Sequence, residues 1–189
     1  MELILALLLG GGCVAVGGWA LRRRRRRRQP VVSEESLGRG LDDLRPDDVL
    51  THDGGDWMVS GVAQLMEAGV TWIECRLEDA SREGWIVVHP GDADAALVGE
   101  RVADFAVAGD RPSDSLDHQG KVFRLERFGR ATVEVTGELD GRYGQGECGY
   151  WNYRRPGDGR VWFRQSGESW SYFSGRRVPR HLIGFLPGS

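Results

Sequence analysis

The sequence predicts a mostly β fold, a small sandwich or partly open barrel, behind one N-terminal transmembrane helix. Three observations predict it. Apolar and β-branched runs of five to nine residues recur from Asp48 onward, each bounded by Gly, Asp or Pro, as strands and turns require. Glu2–Leu21 holds one charged residue in twenty, and twenty helical residues rise about 30 Å, the thickness of bilayer hydrocarbon. Seven consecutive arginines, Arg22–Arg28, then stop the span.

The elements follow in chain order. No Lys or Arg precedes the apolar run, so the arginines are expected to stay in the cytoplasm. The N-terminus would face outward and residues 29–189 inward, at an inner or plasma membrane. A cleaved signal peptide needs a basic segment ahead of its apolar core, and Met1-Glu2 supplies none. Arg22, Arg23, Arg24, Arg25, Arg26, Arg27 and Arg28 would lie among anionic headgroups, at about 1 kcal/mol per basic residue near the surface. Gly11/Ala15 and Cys13/Gly17 have the small-xxx-small spacing of close helix pairs.

Residues 29–43 read as a polar linker with one helical turn near Leu41–Leu44. The cytoplasmic β-domain is expected over residues 44–186, with halves at 44–98 and 121–186 that would be two tandem β-modules. In the first half the strands are Asp48–His52, Asp56–Gln64, Val70–Leu77 and Gly84–His89. Val70–Leu77 alternates, with Ile73, Cys75 and Leu77 on one face and Trp72 and Glu74 on the other. Pro90–Gln119 is rich in Asp, Ala and Gly and reads as an acidic loop, with Arg101–Ala108 a strand or short helix within it. Strands resume at Val122–Arg127, Ala131–Glu138, Gly149–Arg154, Arg160–Gln165 and Ser169–Ser174. Phe128-Gly129-Arg130 is expected as a turn. Pro156-Gly157-Asp158-Gly159 is a strong hairpin signal. His181–Leu186 fits a last strand or a packed tail. Glu74-Cys75 before Trp85 echoes Glu147-Cys148 before Trp162.

Charge narrows the function. Residues 1–30 carry a net charge of +6 and the remainder −9, which argues against nucleic-acid binding by the domain. Residues 31–120 hold 6 basic and 20 acidic residues, whereas residues 121–189 hold 12 basic and 7 acidic. Three cysteines, one inside the span, make no disulfide framework, and Cys75 and Cys148 suit a reducing compartment as buried small residues. Lys121 is the sole lysine, a usage that resembles GC-rich bacterial coding.

Few residues suggest chemistry. His52, His89, His118 and His181 are dispersed, without ligand spacing, so no metal or other cofactor is expected. Glu74 and Glu147 are carboxylates beside strands, where an outward-facing acid is ordinary and an acid–base pair is not. The richest stretch is Tyr150–Phe173. There Trp151, Tyr153, Trp162, Phe163, Trp170, Tyr172 and Phe173 interleave with Arg154, Arg155, Arg160 and Arg164, a pattern that grips anionic or protein partners. No catalytic residue is assigned.

Two stretches carry a resemblance. Arg45-Pro46-Asp47-Asp48-Val49-Leu50, Trp57–Gly61, Thr71–Leu77 and Gly84–Val88 are similar to the opening of a bacterial family, domain of unknown function 4178. Gly149–Tyr153 and Glu168-Ser169-Trp170 with Gly175 resemble its second half, so the likeness spans about residues 44–180. The family pattern implies Gly at the Asp47 position and Asp at the Asn152 position. It also implies a mostly β domain encoded near small multi-span membrane proteins and polyamine-synthase-like enzymes, and it brings no catalytic residues. The expected role is therefore a membrane-anchored adaptor that organises a protein partner, such as a multi-span membrane protein, at the inner leaflet. The alternative is a ligand sensor or enzyme of polyamine-related metabolism with a pocket between the β-modules.

Overall fold

The computed structural model describes residues 38–103, 111–139 and 143–188. The described chain is almost wholly β. The first five strands are β1 (Val49–His52), β2 (Gly55–Glu67), β3 (Val70–Asp79), β4 (Arg82–Val88) and β5 (Ala95–Arg101). The next six are β6 (Ser115–His118), β7 (Lys121–Gly137), β8 (Gly146–Arg154), β9 (Gly159–Ser166), β10 (Ser169–Pro179) and β11 (Gly184–Leu186). Leu41–Asp43 forms the expected single helical turn, as a 3-10 turn.

All these strands join one antiparallel sheet in the order β11-β1-β2-β3-β4-β5-β10-β9-β8-β7-β6. A further pairing of β2 with β7 closes eight of them into a barrel. Closure removes the exposed edges that an open sheet would present. The expected sandwich or partly open barrel is thus a closed barrel with β1, β11 and β6 appended.

Two long, bulged strands make closure physically feasible. Gly55–Met58 of β2 pair with β1, the register shifts between Val59 and Gly61, and Gly61–Met66 pair with β7. In the other half Lys121–Arg124 of β7 pair with β6, the register shifts between Leu125 and Arg127, and Thr132–Gly137 pair with β2. A bulge bends the strand and increases its twist, so each long strand serves two neighbours on one edge in succession. The opposite seam, β5 with β10, places Gly99 against Gly175. A Cβ on either would strike the facing backbone.

Alternation sends side chains into three cores. Trp72, Trp85, Tyr150, Trp162 and Phe173 belong to the central cluster. Ile73, Cys75 and Leu77, on the other face of β3, join Leu50, Val59 and Ile183 in a second. Phe123, Tyr153, Val161, Phe163 and Tyr172 form the third. The alternation expected for β3 holds, but both of its faces are covered.

Several expectations are corrected. Pro90–Gln119 holds two strands, β5 and β6, beyond the one element expected at Arg101–Ala108, most of which lies outside the described residues. Phe128-Gly129-Arg130 is no turn; it lies inside β7, pairing with Trp151, Tyr150 and Gly149. Gly129 is there because a Cβ would strike the Glu67 carboxylate and the Tyr150 hydroxyl. His181–Leu186 ends in β11, a true last strand on β1. The two halves do repeat one succession of a short strand, a long bulged strand and three more strands. Aligning them on their bulges and hairpin registers carries Trp85 onto Trp162 but Glu74 onto Tyr150, so the Glu-Cys echo has no counterpart in space. The expected transmembrane helix over residues 2–21 and its arginine block lie outside the described residues. Among the described residues no helix is long and apolar enough to cross a membrane.

Candidate functional site

The barrel buries an ion pair. Glu74 points inward from β3 and is 0% exposed; Arg164 reaches it from β9 and is 3% exposed. Arg164 Nε donates to the two carboxylate oxygens at 2.9 and 3.1 Å, and its terminal nitrogen donates as well. Trp72 Nε1 donates to Glu74 at 3.0 Å, and the Tyr143 hydroxyl donates to its other oxygen. The remaining Arg164 nitrogen donates to Asn152 Oδ1 at 3.0 Å and to the Phe163 carbonyl at 2.6 Å. Burial alone would lower the guanidinium's pKa, but Glu74 and the hydrogen bonds to it hold it above the ordinary range. Burial, and next the Glu74 charge, push the Tyr143 phenol well above its ordinary value. Each charge is paired and hydrogen-bonded, as a buried charge must be. The carboxylate expected to face outward is therefore a core residue.

Near this pair a cleft of about 450 Å³ opens between β4 and β5 on one side and β8 and β9 on the other. Trp72, Val87, Leu97 and Trp162 form its apolar lining, and Arg127, Arg154, Arg160 and Arg177 its polar one. Some of these arginines are neutralised. Arg177 meets Asp92 at 2.9 Å, Arg127 meets Glu67 at 2.8 Å and Arg154 meets Glu126 at 3.4 Å. Glu67 also accepts from the Tyr150 hydroxyl, and that bond, with Arg127, lowers its pKa despite the opposing effect of burial. Arg127 approaches His89 at 3.3 Å; burial first, then this cation, lowers the His89 pKa.

Arg154 and Arg160 also border a neighbouring groove of about 610 Å³, lined besides by Val122, Arg124, Arg155, Pro156 and Gly157. Arg124 stands directly opposite Arg154, and Arg154 directly opposite Arg160. Three like charges thus occupy one row across β7, β8 and β9. Arg160 donates to backbone carbonyls, at 3.1 and 2.9 Å, and Arg155 stacks over Phe123.

The eight aromatic and arginine residues expected to form one binding face fall into two sets. Tyr153, Trp162, Arg164 and Tyr172 are buried. Trp151 and Trp170 are half-buried, with ring centroids 5.1 Å apart, Arg154 is exposed and Arg155 half-buried. Phe128, in direct register with Trp151, is 59% exposed and extends this outer ridge. Sequence reasoning missed Phe128 because its Gly129 neighbour reads as a turn. It missed Arg124, because the row that Arg124 forms with Arg154 and Arg160 exists only in cross-strand register.

The other candidates stay apart. Glu147 is exposed and lies 3.6 Å from Arg130, far in environment from the buried Glu74. Both described cysteines are buried free thiols, with pKa values raised by burial, that of Cys148 to about 11. Among the described residues no group of three or more His, Cys, Asp or Glu could hold a metal ion.

Fold and site together define a closed β-barrel with a charged core and an arginine-rimmed cleft. The chain belongs to the family described as domain of unknown function 4178, whose model matches residues 45–180. No curated protein and no solved structure matches it. The two positions at which the sequence was expected to depart from the family's residues can be placed in the fold. Asp47 has a φ of 72°, a conformation that glycine adopts without strain. Asn152 accepts from Arg164, where an Asp would add a second carboxylate to that guanidinium.

Proposed function

We propose that the protein is a non-enzymatic, single-pass membrane-anchored adaptor whose barrel organises a protein partner at the inner leaflet. The observation that supports this reading best is the aromatic ridge of Phe128, Trp151 and Trp170 on the barrel's outer surface. Large aromatics flanked by arginines are the residue types that dominate protein interfaces, and Arg111 lies 5.9 Å over the Phe128 ring. The apolar run and arginine block supply the anchor. The interior acid and base are engaged with each other, which favours binding over catalysis. Polyamine sensing draws no support from the cleft, because Asp92 and Glu126 there are already paired with arginines.

The test is co-purification from gently solubilised membranes, comparing the full chain, a chain lacking residues 1–28 and Phe128→Ala. Phe128 is exposed, so its truncation should spare the fold. A partner held by the full chain and lost in both variants supports the adaptor. An identical set of partners from all three overturns it.

A further inference from the structure

The cleft and the arginine row are one continuous feature, because Arg154 and Arg160 line both the cavity and the groove. Three observations bear on what it could hold. First, like charges directly opposite each other destabilise a sheet, yet Arg124, Arg154 and Arg160 are in direct register on adjacent strands. Second, carboxylates offset the row only in part. Glu126 reaches Arg154 at 3.4 Å and, with Asp158, acts on Arg160 at longer range, while Arg124, Arg155 and Arg160 form no direct ion pair among the described residues. Third, Trp162 lines the cavity, is 1% exposed and has an Nε1–H with no acceptor. A buried donor left unpaired is rare, and it is normally satisfied by water or a ligand.

We propose that cavity and groove together bind a phosphate monoester carrying an apolar or aromatic body. Arg124, Arg154 and Arg160 would hold the oxyanion, and the body would lie in the cavity beside Trp162. The planar guanidinium fork matches a phosphate in bidentate geometry, and three forks suit a dianion better than a single carboxylate. The cavity's roughly 450 Å³ lies in the range of small-molecule sites. The inference is independent of the adaptor reading, since it uses neither the aromatic ridge nor a protein partner.

The shared chemistry has two sources, a soluble phosphorylated molecule or a phosphomonoester lipid headgroup. The test uses the full chain in neutral detergent, with phenyl phosphate as the probe and sodium chloride at matched ionic strength as the control. Thermal unfolding and calorimetric titration are the readouts. Phenyl phosphate is expected to raise the melting temperature saturably while chloride does not, because a ligand selective for the native state must stabilise it. In the double variant R124Q/R154Q the affinity should fall at least tenfold. The unliganded double variant should melt no lower than wild type, since its substitutions relieve repulsion and both arginines are exposed. Arg130→Gln, also exposed on β7 but outside the row, should bind as wild type does. The lipid arm repeats the melts in phosphatidylcholine nanodiscs with and without phosphatidic acid. Stabilisation by phosphatidic acid that the double variant loses, without a phenyl phosphate effect, assigns the lipid source. Stabilisation by phenyl phosphate in plain phosphatidylcholine assigns the soluble one. The proposal is overturned if neither phosphate exceeds its control, or if the double variant responds as wild type does.

Discussion

Replacing Arg164 by Met should be among the most damaging single changes in the barrel. The substitution preserves much of the side-chain volume but leaves Glu74, 0% exposed, without its cation. Two donors would remain to that carboxylate, Trp72 Nε1 and the Tyr143 hydroxyl. Breaking a buried pair by removing one partner costs about 3–5 kcal/mol. For a domain of about 150 residues, that corresponds to a fall in melting temperature of roughly 6–20 °C. Removing both charges behaves differently. In Glu74→Leu with Arg164→Met no charge is stranded, although Trp72, Tyr143 and Asn152 lose partners at about 1–3 kcal/mol for each group left unsatisfied. The double variant should therefore be clearly more stable than the sum of its single changes predicts, with a coupling of about 2 kcal/mol or more. Thermal melts of the detergent-solubilised chain, followed by the near-ultraviolet dichroism of its buried tryptophans, measure all four corners of the cycle. Additive losses, or an Arg164→Met cost below about 1 kcal/mol, would refute the claim that this pair is electrostatically coupled in a dry core.

Three further outcomes follow from local geometry. Glu67 has a lowered pKa, held by Tyr150 and Arg127, so its contribution to stability is present above its unfolded-state pKa and is lost as pH falls through the folded value. Glu67→Gln should flatten that acid limb in melts taken between pH 7 and pH 3. Asp47→Gly should stabilise the chain by roughly 0.5–1 kcal/mol, because a φ of 72° strains any residue with a Cβ; Asp47→Ala should not. In a chain whose Cys13 is replaced by Ser, a thiol reagent at pH 8 should label Cys75 and Cys148 only at the rate of unfolding, since both are buried with raised pKa values. Rapid labelling without denaturant would show that the barrel opens around them.

What was legible in the sequence was local. Alternation located β3 and its two faces, and the Pro156–Gly159 segment located the β8–β9 hairpin. Turn chemistry failed where glycine serves close approach instead of a turn. Gly129 lies inside β7 because the Glu67 and Tyr150 side chains crowd its Cβ position. The aspartates of Pro90–Gln119 hid β5, whose Ala95 and Ala96 are buried although their surroundings look like loop. Barrel closure was illegible because it depends on register after two bulges, a long-range property that no local pattern encodes. Glu74 shows the same limit. Its strand position was right, but whether a face meets water or another layer is decided by closure.

Asn152 connects the core to the proposed anion site. Its Oδ1 accepts from Arg164 at 3.0 Å, and the residue also lines the arginine-rimmed cleft. An amide there gives Arg164 an acceptor without adding negative charge to the cleft. Asn152→Asp restores the residue that the family pattern implies, and it gives one guanidinium two carboxylates. One charge is then uncompensated and acts on whatever occupies the cleft. At an effective dielectric of 20, two like unit charges about 8 Å apart repel by about 2 kcal/mol, so an anion held at roughly that range would lose about that much for each of its charges. Phenyl phosphate affinity should therefore fall at least about tenfold. The melting temperature should change little, since the Arg164 hydrogen bond persists. Calorimetric titration beside melting curves separates the two effects. Unchanged affinity would mean that the anion lies far from Asn152, confined to the outer groove with Arg124 and Arg155. A large loss of stability would mean instead that the Glu74–Arg164 network tolerates no second carboxylate, and that this chain's amide is a requirement of its core.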